Sequence, residues 1–223
     1  MDWTAFRLSL DLAVATCLIL LPLALLVGRW LAWTRIRGRS WIEALIALPL
    51  VLPPTVLGYY VLVGLGMRSP LGRAAAGLLG HPLPFSFAGL LVASLLVNLP
   101  FAIQPVQRAF EAIPAELREA AAVCGSSAWR TFGAIELRLA WPGVVSAAAL
   151  TLAHTMGEYG VVLMVGGNIP GQTKTVAVAI YDRAQAFDTW AAGVMSATLL
   201  LFSLVTIGVV YSLAGRPGVA RAG

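Results

Sequence analysis

The residues best suited to chemistry in this chain are a histidine and a glutamate placed one helical turn apart. His154 and Glu158 lie in the stretch HTMGEYG, between the apolar runs VVSAAALTLA and VVLMVGG. At this spacing the two side chains can share a proton or a hydrogen bond on one helix face. A carboxylate at the centre of a bilayer costs at least about 2.5–3.5 kcal/mol and must be satisfied inside the protein. Two interpretations stay open, a buried polar tie that fixes packing and part of a gate whose partner changes between states.

The composition determines which elements must hold this pair. The chain of 223 residues is 59% hydrophobic and 11% charged, with a mean hydropathy of +0.86. A soluble domain is about half apolar and a quarter charged. Since a membrane helix needs about 20 mainly apolar residues, we predict a single membrane domain over residues 1–223. Its five membrane segments are 9–28, 42–66, 85–107, 142–166 and 191–214. A sixth, half-membrane or surface helix at 172–187 is the alternative count.

The basic residues predict the orientation of these segments. Ten lie in loop one, loop three and the C-terminal tail, and five lie on the other side. The larger group consists of Arg29, Arg35, Arg37, Arg39, Arg108, Arg118, Arg130, Arg138, Arg216 and Arg221. Because basic loops stay in the cytoplasm, we expect the N-terminus outside and the C-terminus inside. The net charge of +5 therefore reflects topology and does not indicate nucleic-acid binding.

The sequence contains no arrangement that predicts catalysis. Its two cysteines, Cys17 and Cys124, have no metal-binding or disulfide spacing, and it has only two histidines. It has no nucleophile elbow, phosphate-binding loop or metal-ligand cluster. We expect a non-enzymatic protein that binds neither a cofactor nor a metal itself.

Loop three, at about 108–141, is predicted to be a helix–turn–helix at the membrane surface. Pro114 can open the first helix, Gly125 suits the residue after its end, and Ser126 or Ser127 can cap the second. Pro142 would then start the next membrane helix. In the second helix an apolar face at helical spacing would rest on the protein or on headgroups; it consists of Trp129, Phe132, Ile135 and Leu139. An ordinary amphipathic connector remains the alternative.

The same loop resembles the signature loop of ABC-importer permeases. The matching residues are Glu119, Ala120, Ala121, Gly125, Ile135 and Leu137. The family usually has proline where this chain has Arg138, and a later basic residue where it has Trp141. The resemblance implies a coupling helix that sits in a groove of a cytoplasmic ATPase. The residues implied to couple to that ATPase are Glu119, Ala120, Ala121, Gly125, Trp129 and Arg130.

Two further stretches resemble the molybdate branch of these permeases. They are LPLVLPPTVLGYYVLV at 48–63 and MGEYGVVLMVGGNIPGQTKTVAVAIY at 156–181. Sulfate permeases share the GEYG-like element, and tungstate permeases are close relatives, so both remain alternatives. The resemblance covers about residues 5–215. It implies an all-helical permease (MetI-like) fold in the inner membrane, surrounded by lipid, and a homodimer. It also implies an ABC ATPase dimer that binds ATP and Mg²⁺, and an extracytoplasmic oxyanion-binding protein.

Several other residues are candidates for a gate or pathway. Pro49, Pro53 and Pro54 would kink the second segment, and Asn98 with Pro100 would kink the third. The full candidate set is Pro53, Pro54, Asn98, His154, Glu158, Asn168 and Lys174. Glu158 is a poor ligand for a dianion because the charges repel. The rival functions are a proton-coupled transporter that uses His154 and Glu158 as a relay, although we find no inverted repeat, and a non-transporting membrane scaffold.

Overall fold

The computed structural model describes residues 1–213, and every regular element in that range is helical. The elements are α1 (Trp3–Trp33), α2 (Arg39–Val51), α3 (Pro54–Leu65), α4 (Pro70–Leu79), α5 (Phe87–Glu111), α6 (Ala115–Val123), α7 (Ala128–Thr131), a π-helical segment (Phe132–Glu136), α8 (Leu137–Gly157), α9 (Gly160–Gly166), α10 (Val176–Gln185) and α11 (Thr189–Leu213). The predicted all-α fold is therefore confirmed. Arg216 and Arg221, used above for orientation, lie outside the described residues.

The membrane segments number four or five in the structure, against the predicted five. Four helices within residues 1–213 are long and apolar enough to cross a bilayer, and the bent pair α2–α3 makes a fifth if it counts as one span. The candidate sixth segment contains only the ten-residue α10. A helix of that length is about 15 Å long, half of what a span needs. It lies beside α1, where the Val176 amide donates to the Ser9 hydroxyl at 2.8 Å.

The core of the bundle is the packing of α1, α5 and α8. Fully buried apolar side chains from all three helices meet there, among them Leu31, Phe110 and Ala140. A Cβ on Gly28 would lie 3.0 Å from the Gln107 nitrogen, so α1 and α5 touch backbone to backbone. Small residues permit such close contact between membrane helices. α1 and α5 run in the same direction and α8 runs opposite to them, as the residue pairs in contact require.

The second segment is broken and not merely kinked, which corrects the prediction. α2 and α3 meet at 110° across Leu52 and Pro53. Pro53 and Pro54 lack backbone N–H groups, and each disfavours helical geometry in the residue before it. Pro53 is extended, with φ −55° and ψ 136°, and Pro54 is the first residue of α3. α3 then packs on α9, where Gly58 lies against Met164 and Val161. We call residues 49–57 the elbow.

The fourth segment differs from the prediction at both ends. A continuous helix of 30 residues runs from Ala128 to Gly157, so Pro142 lies inside it and does not start it. The predicted separate second surface helix is therefore wrong, because α7 passes through the π-helical segment directly into α8. Proline inside a membrane helix is tolerated where neighbours satisfy the freed backbone groups. At the other end α8 stops at Gly157, Glu158 is extended, and α9 begins at Gly160.

Candidate functional site

The turn between α6 and α7 is built as the sequence predicts. Gly125 adopts φ +73°, a left-handed conformation that glycine reaches without strain. The Ser126 amide donates to the Ala121 carbonyl at 2.9 Å, which closes the end of α6. Of the two serines proposed as caps, Ser127 takes the role, since its hydroxyl accepts from the Arg130 amide at 3.3 Å. Residues 119–130 therefore form a fixed tip, which we call the α6–α7 tip.

This tip presents apolar side chains to its surroundings. Trp129 is 80% exposed and Val123 is 88% exposed. Glu119, Ala120, Gly125 and Arg130 are also exposed, whereas Ala121 is buried. The predicted apolar face is thus only partly covered: Phe132 is half-buried, but Trp129 and Leu139 are exposed. The reason is that α7 continues as α8 and does not lie flat on the bundle.

A chain of polar side chains crosses the bundle between α1, α5 and α8. The Thr16 hydroxyl donates to the Ser94 hydroxyl at 2.9 Å, and the Asn98 amide donates to the Ser94 carbonyl at 2.8 Å. The Asn98 amide oxygen lies 3.1 Å from His154 Nδ1. His154 also stacks on Phe101 with ring centroids 4.1 Å apart. Asn98, a predicted gate or pathway residue, is fully buried and is the closest polar partner of His154.

Glu158 joins the end of this chain to the start of α9. Its Oε1 accepts from the Val161 amide at 2.9 Å. Its Oε2 lies 3.8 Å from His154 Nε2, which is an ion-pair distance if the histidine is protonated and too long for a hydrogen bond. The side chain of Glu158 is 11% exposed. The predicted His154–Glu158 pair is present, but the tighter contact of Glu158 is the backbone cap.

The elbow and the α8–α9 break face each other across a cavity of about 220 Å³. The cavity is lined by elbow residues, including Pro54, and by Phe101, His154 and Glu158. Pro54 also touches α9, since a Cβ on Gly160 would lie 2.6 Å from the Pro54 Cβ. The structure thus brings together Pro54, His154 and Glu158, with Asn98 behind His154 and Pro53 next to Pro54 in the chain. The α2–α3 break and the α8–α9 break therefore lie at one place.

Asn168 and Lys174, the other two candidates, form a separate cluster around Asp182. Lys174 Nζ lies 2.6 Å from Asp182 Oδ2, and the Asn168 amide donates to both carboxylate oxygens at 3.0 and 2.8 Å. Burial alone would raise the pKa of Asp182, but the hydrogen bonds from Lys174 and Asn168 outweigh it and lower that pKa below its ordinary value. Within residues 1–213 no hydrogen bond or ion pair joins this cluster to His154 or Glu158.

Sequence reasoning missed Asp182, Ser94, Thr16 and Phe101. Only Ser94 carried a usable signal, because it lies four residues before Asn98 and shares its helix face. Asp182 lies in the stretch 172–187, in which the sequence singled out no role for a carboxylate. Thr16 and Phe101 belong to apolar segments, where neither residue type suggests a polar contact. Their roles depend on pairings between helices that are distant in sequence.

Comparison with known proteins identifies the family. The model of the binding-protein-dependent transport system inner membrane component matches residues 21–217. The chain belongs to this family. The resemblance noted in its loop three is thereby confirmed, and the chain is a permease component of the inner membrane with several spans. Two solved structures of a bacterial alginate ABC transporter have the same fold, with TM-scores of 0.74 and 0.69 at 15% and 16% identity. Each match covers 95% of this chain, and 79% and 76% of the other chains.

Several curated relatives are named as molybdenum or sulfate transport system permease proteins. The molybdenum transport system permease protein ModB of Azotobacter vinelandii is 47% identical and matches 95% of this chain and 93% of its own length. The ModB protein of Haemophilus influenzae is 37% identical over 92% of this chain and 88% of its own. A probable sulfate transport system permease protein of Chlorella vulgaris is 28% identical over 92% of this chain and 76% of its own.

Proposed function

We propose that the chain is the permease subunit of an ATP-driven importer that moves molybdate from an extracytoplasmic binding protein into the cytoplasm. The observation that carries this proposal is the 47% identity to a molybdenum permease over nearly the full length of both chains. The sulfate permease in the comparison is 28% identical. Sulfate and tungstate are therefore the competing substrates for the experiment to separate.

The α6–α7 tip is proposed as the contact with the ATPase. Glu119, Ala120, Gly125, Trp129 and Arg130 are exposed there, and the turn at Gly125 offers backbone without a side chain. Ala121, the sixth residue of the predicted set, is buried and supports the tip from inside. ATP and Mg²⁺ bind to the partner ATPase dimer in this proposal. The permease itself acts as a homodimer within lipid, with the tip in the cytoplasm and the N-terminus outside.

The elbow and the α8–α9 break are proposed as the gate. ATP binding closes the ATPase pair, draws the two tips together and opens the pathway outward, and hydrolysis resets it. In this scheme Pro53 and Pro54 fix the break between α2 and α3, and Glu158 holds the start of α9 through the Val161 amide. The contact of Pro54 with Gly160 holds the elbow against the α8–α9 break. His154 and Asn98 hold the gate to α5.

The cluster of Asn168, Lys174 and Asp182 is proposed to shape the extracytoplasmic mouth. Lys174 is neutralised by Asp182 in this conformation, so it does not attract an anion while the pair holds. The cluster instead fixes the loop between α9 and α10, which the binding protein would approach. Lys174 becomes available to an anion only in a state in which the ion pair opens.

The experiment is uptake into proteoliposomes that contain the permease and its ATPase, with the binding protein added outside. We expect ATP-dependent uptake of labelled molybdate that tungstate inhibits and that sulfate leaves largely unchanged even in large excess. Equal inhibition by sulfate would move the chain to the sulfate branch. Uptake driven by a pH gradient without ATP would instead favour the proton-coupled transporter, which the close approach of His154 to Glu158 keeps as the second candidate.

A further inference from the structure

A buried carboxylate outside the gate connects the α6–α7 tip to the membrane bundle. Glu136, the last residue of the π-helical segment, is 1% exposed. Arg29 of α1 donates to it from Nε at 2.7 Å and from Nη2 at 3.4 Å. Arg118 of α6 approaches the same carboxylate, with Nε 3.3 Å from Oε1. One carboxylate therefore joins three elements that are separate in sequence.

An aromatic side chain holds the two arginines in position. The Arg118 guanidinium carbon lies 3.7 Å from the centre of the Trp33 ring, and that of Arg29 lies 5.1 Å away. Guanidinium groups at such distances over an indole face are attracted by its ring electrons. Trp33 itself packs edge-on against Phe110 of α5 in the main core. We call Arg29, Trp33, Arg118 and Glu136 the clamp.

The clamp matters because α6 has little other attachment to the bundle. Ala121 is the only buried residue of α6. Within residues 1–213, Arg118 makes the only ion pair from an α6 side chain. A displacement of α6 therefore reaches α1 and α8 mainly through Arg118 and Glu136. Glu136 also lies in a π-helical segment, a feature often found at functional sites because the helix register can adjust there.

We propose that the clamp transmits the movement of the α6–α7 tip to α1 and α8, with Arg118 and Glu136 as positioning residues for coupling. This inference rests on the proposed function, since it assumes that an ATPase moves the tip. Arg118 is the residue to change, because Arg29 still pairs with the buried Glu136 when Arg118 is lost. Removing both arginines would strand a buried charge, and removing Arg29 would take away the two-nitrogen contact; either change would disturb folding.

The test compares Arg118→Gln with the matched control Arg108→Gln in reconstituted complexes. Arg108 pairs with Glu111 at 2.8 Å within α5, so the control removes one arginine ion pair that lies inside a single helix. We expect Arg118→Gln to keep its thermal midpoint and its bound ATPase while molybdate uptake per ATP hydrolysed falls at least about fivefold, the lower range of measured coupling effects. The control should stay within about twofold of the wild type.

Two results would overturn the inference. Unchanged uptake per ATP in Arg118→Gln would show that the clamp transmits nothing. Loss of the ATPase from the purified complex would show that Arg118 is a docking contact.

Hydrogen exchange tests the attachment of α6 independently, on the permease alone. Backbone amides of residues 115–123 should exchange faster in Arg118→Gln than in Arg108→Gln, whereas those of residues 132–136 should exchange at the same rate in both. Equal exchange rates of 115–123 in the two variants would contradict the clamp. If wild type lacks ATP-driven uptake, the proposed function fails, and this exchange measurement still tests the attachment.

Discussion

Replacement of Glu158 separates the role of its charge from the role of its oxygen atoms. Glu158→Gln keeps an oxygen that can accept from the Val161 amide, now at 2.9 Å, and loses only an ion pair at 3.8 Å. Because the hydrogen bond to the Val161 amide is kept, we expect a smaller loss of stability than in Glu158→Ala. Glu158→Ala leaves the amide of Val161, a residue 1% exposed, without its acceptor. A stranded buried donor costs about 1–3 kcal/mol, and this variant should be clearly less stable.

The assay is the thermal midpoint of each purified permease together with ATP-driven uptake in proteoliposomes. For chains of this size about 1 kcal/mol corresponds to 2–4 °C on the scale measured for soluble domains. Glu158→Gln should assemble and transport at a reduced rate, whereas Glu158→Ala should lose several degrees and most uptake. Asp11→Asn is the matched control, because Asp11 pairs with Arg7 at the same distance of 3.8 Å but is 61% exposed.

Two results would refute this reasoning. If Glu158→Gln is as unstable as Glu158→Ala, then the charge and not the acceptor holds the start of α9. If the wild type takes up molybdate on a pH gradient alone and Glu158→Gln abolishes that uptake, then His154 and Glu158 form a proton relay. The first result would mean that the hydrogen bond to the Val161 amide does not hold the gate. The second would mean that the protein is a proton-coupled transporter.

Three further predictions follow from single sites. Gly125→Asp should fold but transport poorly, because it places a strained, charged side chain at the proposed ATPase contact; normal uptake would contradict this. Gly160→Ala should lose about 1–3 kcal/mol by overpacking on Pro54, as thermal unfolding can measure, while Gly157→Ala, with open space around it, should not. The pKa of Asp182 is lowered in the folded protein, so the ionised carboxylate stabilises the fold above the ordinary pKa of an aspartate. This stabilisation is lost as the pH falls through the pKa of Asp182 in the folded protein. The thermal midpoint of Asp182→Asn should therefore fall less on acidification than that of the wild type.

The sequence predicted features that depend on local chemistry. The five apolar segments follow from hydropathy, and the turn at Gly125 follows from a residue that tolerates a left-handed backbone. The ends of the segments were less accurate, because polar termini such as Ala128–Thr131 continue a helix beyond its apolar part. The π-helical segment has no local signal of its own. Pro142 suggested a helix start, but proline is also accepted inside a membrane helix whose neighbours support it.

Features that depend on distant contacts could not be predicted. Pro53 and Pro54 predict a break. The angle of 110° also depends on the packing of α3 against α9, which lies about a hundred residues later in the chain. The pairing of Asn98 with His154 joins residues 56 positions apart. The sequence alone assigns no role to Glu136 in loop three. Its burial depends on the ion pair with Arg29, which lies 107 positions away in the chain.

The two glutamates that matter most flank α8. Glu136 precedes α8 and Glu158 follows it, and the 21 residues between them form a rod about 32 Å long. In the proposed mechanism, a shift at the clamp moves α8 along its axis and is taken up at the α8–α9 break. Effects of distant, independent sites add within about 0.5 kcal/mol. We therefore expect Arg118→Gln and Glu158→Gln together to depart from additivity by more than about twofold in uptake per ATP. Simple additivity in the double variant would mean that α8 does not connect the tip to the gate.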